Sequence, residues 1–125
     1  MSIVIILNNN TYCIYLITVY CCILGGRWRL SINKNSEPAK HIDTIWLHTL
    51  LLLIGNTLTH HSDVTGVVAA PRAKEYRIDI WTSNYDENSM MSIGNEWKKI
   101  CQDITSQANS FEFSAFHNDK INYRL

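Results

Sequence analysis

At 125 residues the chain can bury one hydrophobic core but not two independent ones. Its 11 basic and 11 acidic residues cancel, which excludes a nucleic-acid binder held by bulk charge and requires any anion site to be local. None of those charged residues falls before Arg27, so the first 26 residues differ in kind from the rest.

The opening segment holds Ile3-Val-Ile-Ile-Leu7, a polar Asn8-Asn-Asn-Thr11 break and an apolar run from Tyr12 to Leu24. A membrane-spanning helix needs about 20 apolar residues, and this run is shorter and interrupted by Thr18. A signal peptide carries Lys or Arg ahead of its apolar region, and none stands here. The β-branched and aromatic content suits one or two strands around the Asn/Thr turn, at the edge of a sheet. The abrupt shift at Gly25-Gly26 also fits a first segment introduced by a mistaken gene model. On either view residues 1–26 stand apart from a domain over residues 27–125.

A helix is predicted from Pro38, which suits a first turn, through Asp43 early in the helix to a stop at Gly55. Ile42, Ile45, Trp46, Thr49 and Leu53 make one stripe at about 100° per residue, expected to bury against a sheet. Leu47, Leu51 and Ile54 make a second stripe spaced i, i+4, i+7, the anchor pattern with which one helix grips another. Either another part of the chain covers these three, or they form an apolar patch in water. His60-His61 with Asp63 fits a polar linker better than a metal site, and no metal is expected.

The stretch Pro71-Arg-Ala-Lys-Glu-Tyr-Arg-Ile-Asp-Ile-Trp81 reads as the turn and second strand of a hairpin. Alternation puts Arg77, Asp79 and Trp81 on one face and Ile78, Ile80 and Thr82 on the other. The isoleucines face inward. An indole beside Arg77, with Arg72 and Lys74 arriving from the preceding strand and turn, suits a flat base attached to phosphates. The plain alternative is a surface strand whose tryptophan shields the core.

A second helix follows, with Asp86, Asn88 or Ser89 as its cap and Met90, Ile93, Trp97, Ile100, Cys101 and Ile104 at helical spacing. Trp97 belongs to the core, and the stripe holds no cofactor site. Ser110 to Phe116 reads as a strand, with Phe111, Phe113 and Ala115 alternating against Glu112 and Ser114, and His117-Asn-Asp-Lys120 turns the chain. Cys13, Cys21, Cys22 and Cys101 form no C-x-x-C pair, so reduced thiols in a cytosolic compartment are expected rather than a disulfide framework. The fold class is α+β: a curved antiparallel sheet backed by helices on one face. No activated serine, Cys/His pair, phosphate-binding Gly-rich loop or paired carboxylates stand out. Binding is expected rather than catalysis, with no cofactor.

Several of these motifs fall in one order. Gly25-Gly-Arg-Trp28, Trp46-Leu-His-Thr-Leu-Leu-Leu-Leu-Ile-Gly55, Gly66-Val-Val, Arg72-Ala-Lys74, Ile80-Trp-Thr82 and Ile93-Gly94 closely resemble the eukaryotic translation initiation factor 4E family over about residues 25 to 101. The resemblance implies a curved sheet with helices on its convex face, incomplete relative to the full family fold. It implies a protein that binds the 7-methylguanosine cap of messenger RNA in translation initiation or its regulation. It would be a monomer outside its complexes, in the cytoplasm and also compatible with the nucleus. Trp81, Arg72, Arg77, Lys74 and, in a loosely matching loop, Lys120 become the cap-side candidates. Leu47, His48, Leu51, Ile54 and Gly55 become the partner side, which in the family receives a Tyr-x-x-x-x-Leu-apolar motif from the scaffold factor 4G or from repressor proteins. His48 departs from an acidic residue common there.

The departures bear on function. The family holds the cationic methylated base between two tryptophans and reads its edge with a glutamate, and the first tryptophan and the Trp-Glu pair precede the Gly-Gly-Arg-Trp motif. This chain has no Trp and no Glu before Arg27, and Trp28 matches a packing position. Two outcomes follow: a cap-binding factor of weakened affinity, or an interaction module that has lost cap recognition and sequesters initiation-factor partners.

Overall fold

The computed structural model describes residues 3–6, 25–106, 110–117 and 120–125. In chain order the elements are β1 (Ile3–Ile6), β2 (Gly26–Asn33), a 3-10 turn (Glu37–His41), α1 (Ile42–Ile54), a short 3-10 turn (His61–Asp63), β3 (Val64–Pro71), β4 (Glu75–Thr82), α2 (Glu87–Ile104), β5 (Ser110–Ala115) and β6 (Ile121–Arg124). The strands form one sheet in the order β1-β3-β4-β2-β5-β6, with every neighbouring pair antiparallel. The α+β class and the curved sheet backed by helices agree with the sequence reading.

Period-two alternation divides the sheet into two chemically different faces. Trp28, Leu30 and Ile32 of β2 lie opposite Ile80, Ile78 and Tyr76 of β4, and Trp28 and Leu30 lie opposite Phe113 and Phe111 of β5. With Val67 of β3 these residues, apart from the half-buried Tyr76, carry the core. Trp28, Leu30, Ile80 and Phe113 are fully buried, each contributing about 1.5–3 kcal/mol by leaving water. The other face, the concave one, carries Arg27, Arg29 and Ser31 on β2, Glu75, Arg77, Asp79 and Trp81 on β4, and Glu112 and Ser114 on β5.

The helices cover the apolar face, and two indole N–H groups fix them there. Trp28 Nε1 donates to the Met90 carbonyl oxygen of α2 at 2.7 Å. Trp97 Nε1 of α2 donates to Thr49 Oγ1 of α1 at 3.0 Å, and that hydroxyl donates to the Ile45 carbonyl at 2.8 Å. Both buried donors are thereby satisfied, as their desolvation requires. Trp97 and Trp28 are core residues, as expected. At the start of α2, Asp86 is the cap: its carboxylate accepts from the Ser89 amide and hydroxyl, each at 3.0 Å.

The helix predicted from Pro38 is two pieces. Pro38 is buried in the 3-10 turn Glu37–His41, and α1 proper starts at Ile42. Its buried stripe is Ile45, Thr49, Leu52 and Leu53, while Ile42, Trp46 and Leu50 are partly buried against the core. Leu52 is thus added to the predicted inner stripe, because a helix apolar nearly all round gives periodicity little contrast to locate one. The helix ends at Gly55 as expected, but Gly55 keeps φ −75° and the left-handed turn falls on Asn56 at φ 52°. Gly55 serves by size: a Cβ there would stand 2.9 Å from the Leu51 carbonyl oxygen.

Of the opening segment, Ile3–Ile6 is a strand at the sheet edge, paired with Ala69 to Gly66. The expected second strand, and Cys13, Cys21 and Cys22, lie outside the described residues. Cys101 is buried and free, and burial pushes its thiol up to about 12.

Candidate ligand and partner surfaces

The β3–β4 hairpin sets the positions of the cap-side candidates. Pro71 pairs with Tyr76, and the Arg72 amide donates to the Glu75 carbonyl at 2.8 Å, so Ala73 and Lys74 occupy the turn. The Lys34 amide donates to the Lys74 carbonyl at 3.0 Å and ties that turn to the end of β2. Arg72 and Lys74 are exposed at this end of the sheet, and Arg77 and Trp81 follow on the concave face of β4. Four residues of strand separate Arg77 from Trp81, about 13 Å, and seven separate Lys74 from Trp81, about 23 Å. Lys120 lies at the Trp81 end, because the β5–β6 connection follows Ala115, and strand-neighbour positions run from Ala115 through Gly26 to Thr82. The candidates therefore form a line along the face: Trp81 and Lys120 at one end, Arg77 midway, Arg72 and Lys74 at the other.

That line is interlaced with carboxylates. Asp79 sits opposite Arg29 and binds it through both oxygens, with Nε–Oδ1 and Nη2–Oδ2 each 2.9 Å. The Asp79 hydrogen bonds raise the Arg29 pKa above its ordinary value despite partial burial, with smaller contributions from Glu75 and Glu112. Arg77 Nε pairs with Glu75, two residues along the strand. Arg124 Nε lies 3.3 Å from Glu112 Oε1. The negative charge expected beside Trp81 is thus already compensated by a residue of β2.

Around Trp81 the face becomes aromatic. Phe116 meets Trp81 edge to face, with centroids 6.0 Å apart and planes at 88°, and the Arg27 guanidinium lies 5.8 Å from the Phe116 centroid. Tyr85 and His117 pack at 5.3 Å nearby. Arg27, Arg29, Glu75, Glu112 and Phe116 were not among the expected site residues. The alternation of Arg27, Arg29 and Ser31 against Trp28, Leu30 and Ile32 carried a signal for the first two.

On the opposite side of the molecule, Leu47, Leu51 and Ile54 of α1 are 53%, 57% and 62% exposed. His48 and Gly55 are exposed beside them. The described residues leave this stripe open to solvent rather than packed.

A family model described as eukaryotic initiation factor 4E matches residues 21–124 of this chain. The chain belongs to that family. Eukaryotic translation initiation factor 4E of Candida albicans is 39% identical over 79 residues, covering 62% of this chain and 38% of the relative. Factor 4E-1 of Zea mays is 39% identical over 80 residues, covering 63% and 34%. The matched stretch thus amounts to little more than a third of each relative's length. Among solved structures, Ascaris suum eIF4E-3 in complex with the m2,2,7G cap aligns with a TM-score of 0.70 at 20% identity, over 82% of this chain and 58% of that one. C. elegans eIF4E-3 with the 4E-binding protein Mextli aligns with a TM-score of 0.70 at 21% identity, over 82% and 59%. At that identity the structural matches show the fold. The initiation factor 4E fold is accordingly the frame in which both surfaces are placed.

Proposed function

We propose that this initiation factor 4E family member is a binding protein of translation initiation or its control, which takes a helical partner motif on α1 and a nucleotide end on the concave face with weakened affinity. The observation that carries it is the exposed line Leu47, Leu51 and Ile54, three large apolar side chains on one helix face where a partner helix would seat. A solved relative is bound to the 4E-binding protein Mextli, and another to a cap, which supports a scaffold or repressor peptide and a 5′ cap as the two ligand classes. On this reading the protein works in the cytoplasm.

Trp81 supplies one stacking face for the base, with Arg77, Arg72, Lys74 and Lys120 as the candidate phosphate contacts. Stacking contributes about 1–3 kcal/mol per base. Losing two tryptophans and a charged acceptor removes about 4–8 kcal/mol together, or roughly three to six powers of ten in affinity. The second reading, an interaction module without cap recognition, is favoured by the three Arg–carboxylate pairs that neutralise much of the concave face.

The test is a pair of titrations on the whole chain. A labelled peptide bearing Tyr-x-x-x-x-Leu-apolar is followed by anisotropy, and 7-methylguanosine triphosphate by tryptophan quenching. Saturable peptide binding with weak, salt-sensitive nucleotide binding is expected. Peptide binding with no nucleotide binding selects the second reading, and no peptide binding refutes both.

A further inference from the structure

Beside the exposed stripe of α1, the helix and the sheet leave a notch of about 220 Å³. Ile42 and Trp46 of α1 form one wall, and Ala69 and Pro71 of β3 with Tyr76 and Ile78 of β4 form the other. In the β3–β4 register Ala69 stands opposite Ile78 and Pro71 opposite Tyr76, so all four share the helix-facing side of the sheet. The Tyr76 ring is engaged by Lys34, whose Nζ lies 5.0 Å from the ring centroid. Asp43 stands exposed at the rim and makes no hydrogen bond or ion pair with any described residue. It precedes Leu47 by four residues, which puts their Cβ atoms about 5–6 Å apart on one side of the helix. The notch thus continues the line of Leu47, Leu51 and Ile54 by one turn and bends it toward the sheet.

We propose that this notch is an anchor pocket for the partner that docks on α1, taking one aromatic side chain between the helix and the sheet while a Lys or Arg next to it reaches Asp43. The inference rests on the reading that the Leu47, Leu51 and Ile54 stripe receives a helical peptide. Size selects a single ring: an apolar cavity of about 150 Å³ holds benzene, and sites for larger ligands start at about 300 Å³. At about 220 Å³ the notch lies between the two. Charge selects the neighbouring residue. Arg77 also borders the notch, but strand alternation places its side chain on the concave face, where it pairs with Glu75. Lys34 already serves Tyr76, which leaves the Asp43 carboxylate as the place for the partner's cation. An aromatic anchor seated in a pocket carries a large share of the affinity of an interface, and here it needs only one helical turn beyond the stripe.

Extended peptides test this on the whole chain. Each bears Tyr-x-x-x-x-Leu-apolar and continues, from one end or the other, for about two to six residues that span about 7–20 Å and finish in Phe-Arg or Gly-Ser. Anisotropy reads the affinity, and the indole N–H signals of the four tryptophans in nitrogen-15-labelled protein report where the extension sits. At one of the two ends Phe-Arg is expected to bind about 10-fold tighter than Gly-Ser and to shift the Trp46 signal. Ala69→Leu, which fills the notch, is expected to abolish that gain, and Asp43→Asn to reduce it by about 2- to 3-fold. The Gly-Ser peptides are expected to bind both variants as they bind wild type, which separates the pocket from the part Asp43 plays at the start of α1. No gain at either end, or a gain that persists in folded Ala69→Leu, overturns the inference and leaves the stripe on α1 standing. Failure of every peptide to bind overturns the partner reading itself. Should Ala69→Leu not fold, the comparison of Phe-Arg with Gly-Ser and the Trp46 signal still decide.

Discussion

Gly94 of α2 presses against the Trp28 indole so closely that a Cβ would stand 2.5 Å from Cζ2 and 2.7 Å from Cε2. The close approach seats α2 against the Trp28 ring, where the Met90 carbonyl lies 2.7 Å from the indole nitrogen. Packing and hydrogen bond thus depend on the same missing methyl. The Ile93-Gly94 motif acquires a physical reason: the helix pays glycine's entropy to seat on a tryptophan.

Gly94→Ala sets two effects against each other. Alanine gains about 1 kcal/mol of helix propensity. The clash meets a fully buried ring fixed by Phe113 at 5.5 Å, which cannot swing away cheaply. Overpacking of that kind costs about 1–3 kcal/mol, so a net loss in urea-denaturation stability is expected. A variant as stable as wild type would show that the ring has room to move.

Leu47→Asp combined with Leu51→Asp should abolish capture of the Tyr-x-x-x-x-Leu-apolar peptide while leaving circular dichroism and thermal midpoint near wild type. Both side chains are more than half exposed, so their replacement removes little from the core. Retained peptide affinity in the double variant would move the partner site elsewhere.

The cap of α2 predicts an acid limb in the stability profile. The Asp86 carboxyl is held below its ordinary value, first by the Ser89 amide and then by the Ser89 hydroxyl. A depressed folded pKa contributes stability that is fully present above the unfolded value of about 3.9 and is lost as pH falls through the lower folded value. Asp86→Asn keeps a capping oxygen but removes the titration. Stability near neutral pH should be nearly retained, and the fall below about pH 4 should flatten. Equal acid slopes in the two proteins would assign the limb to other carboxylates.

Which features could be read from the chain follows from the range of the interactions that make them. Ile78, Ile80 and Thr82 against Arg77, Asp79 and Trp81, and Phe111, Phe113 and Ala115 against Glu112 and Ser114, were legible because alternation is local and each strand buries one face. The stripe of Leu47, Leu51 and Ile54 was legible because helical periodicity is also local, but whether another part of the chain covers it was open until the fold left it exposed. Leu52 was not legible, since Leu50 to Leu53 are all leucine and only the neighbours of α1 choose which turn inward. Arg29 and Asp79 are 50 residues apart, and their pairing depends on the β2–β4 register, which no local pattern states. Phe116 likewise became a neighbour of Trp81 only when β5 and β4 were placed on either side of β2.

That same Arg29–Asp79 pair governs what the concave face offers an anion. Asp79 is 7% exposed, so Asp79→Asn leaves a partly buried guanidinium without its carboxylate and should cost about 1–3 kcal/mol of stability. The released charge joins Arg72 and Arg77 on the ligand side, so affinity for a nucleoside triphosphate should rise and its salt dependence steepen. Arg72→Ala with Arg77→Ala should do the reverse, removing about 1.5–3 kcal/mol for each charge-assisted hydrogen bond to phosphate and flattening the salt slope. Calorimetric titration at two ionic strengths reads both variants. If Asp79→Asn remains folded and neither variant changes the affinity or the slope, the phosphates do not bind along β4.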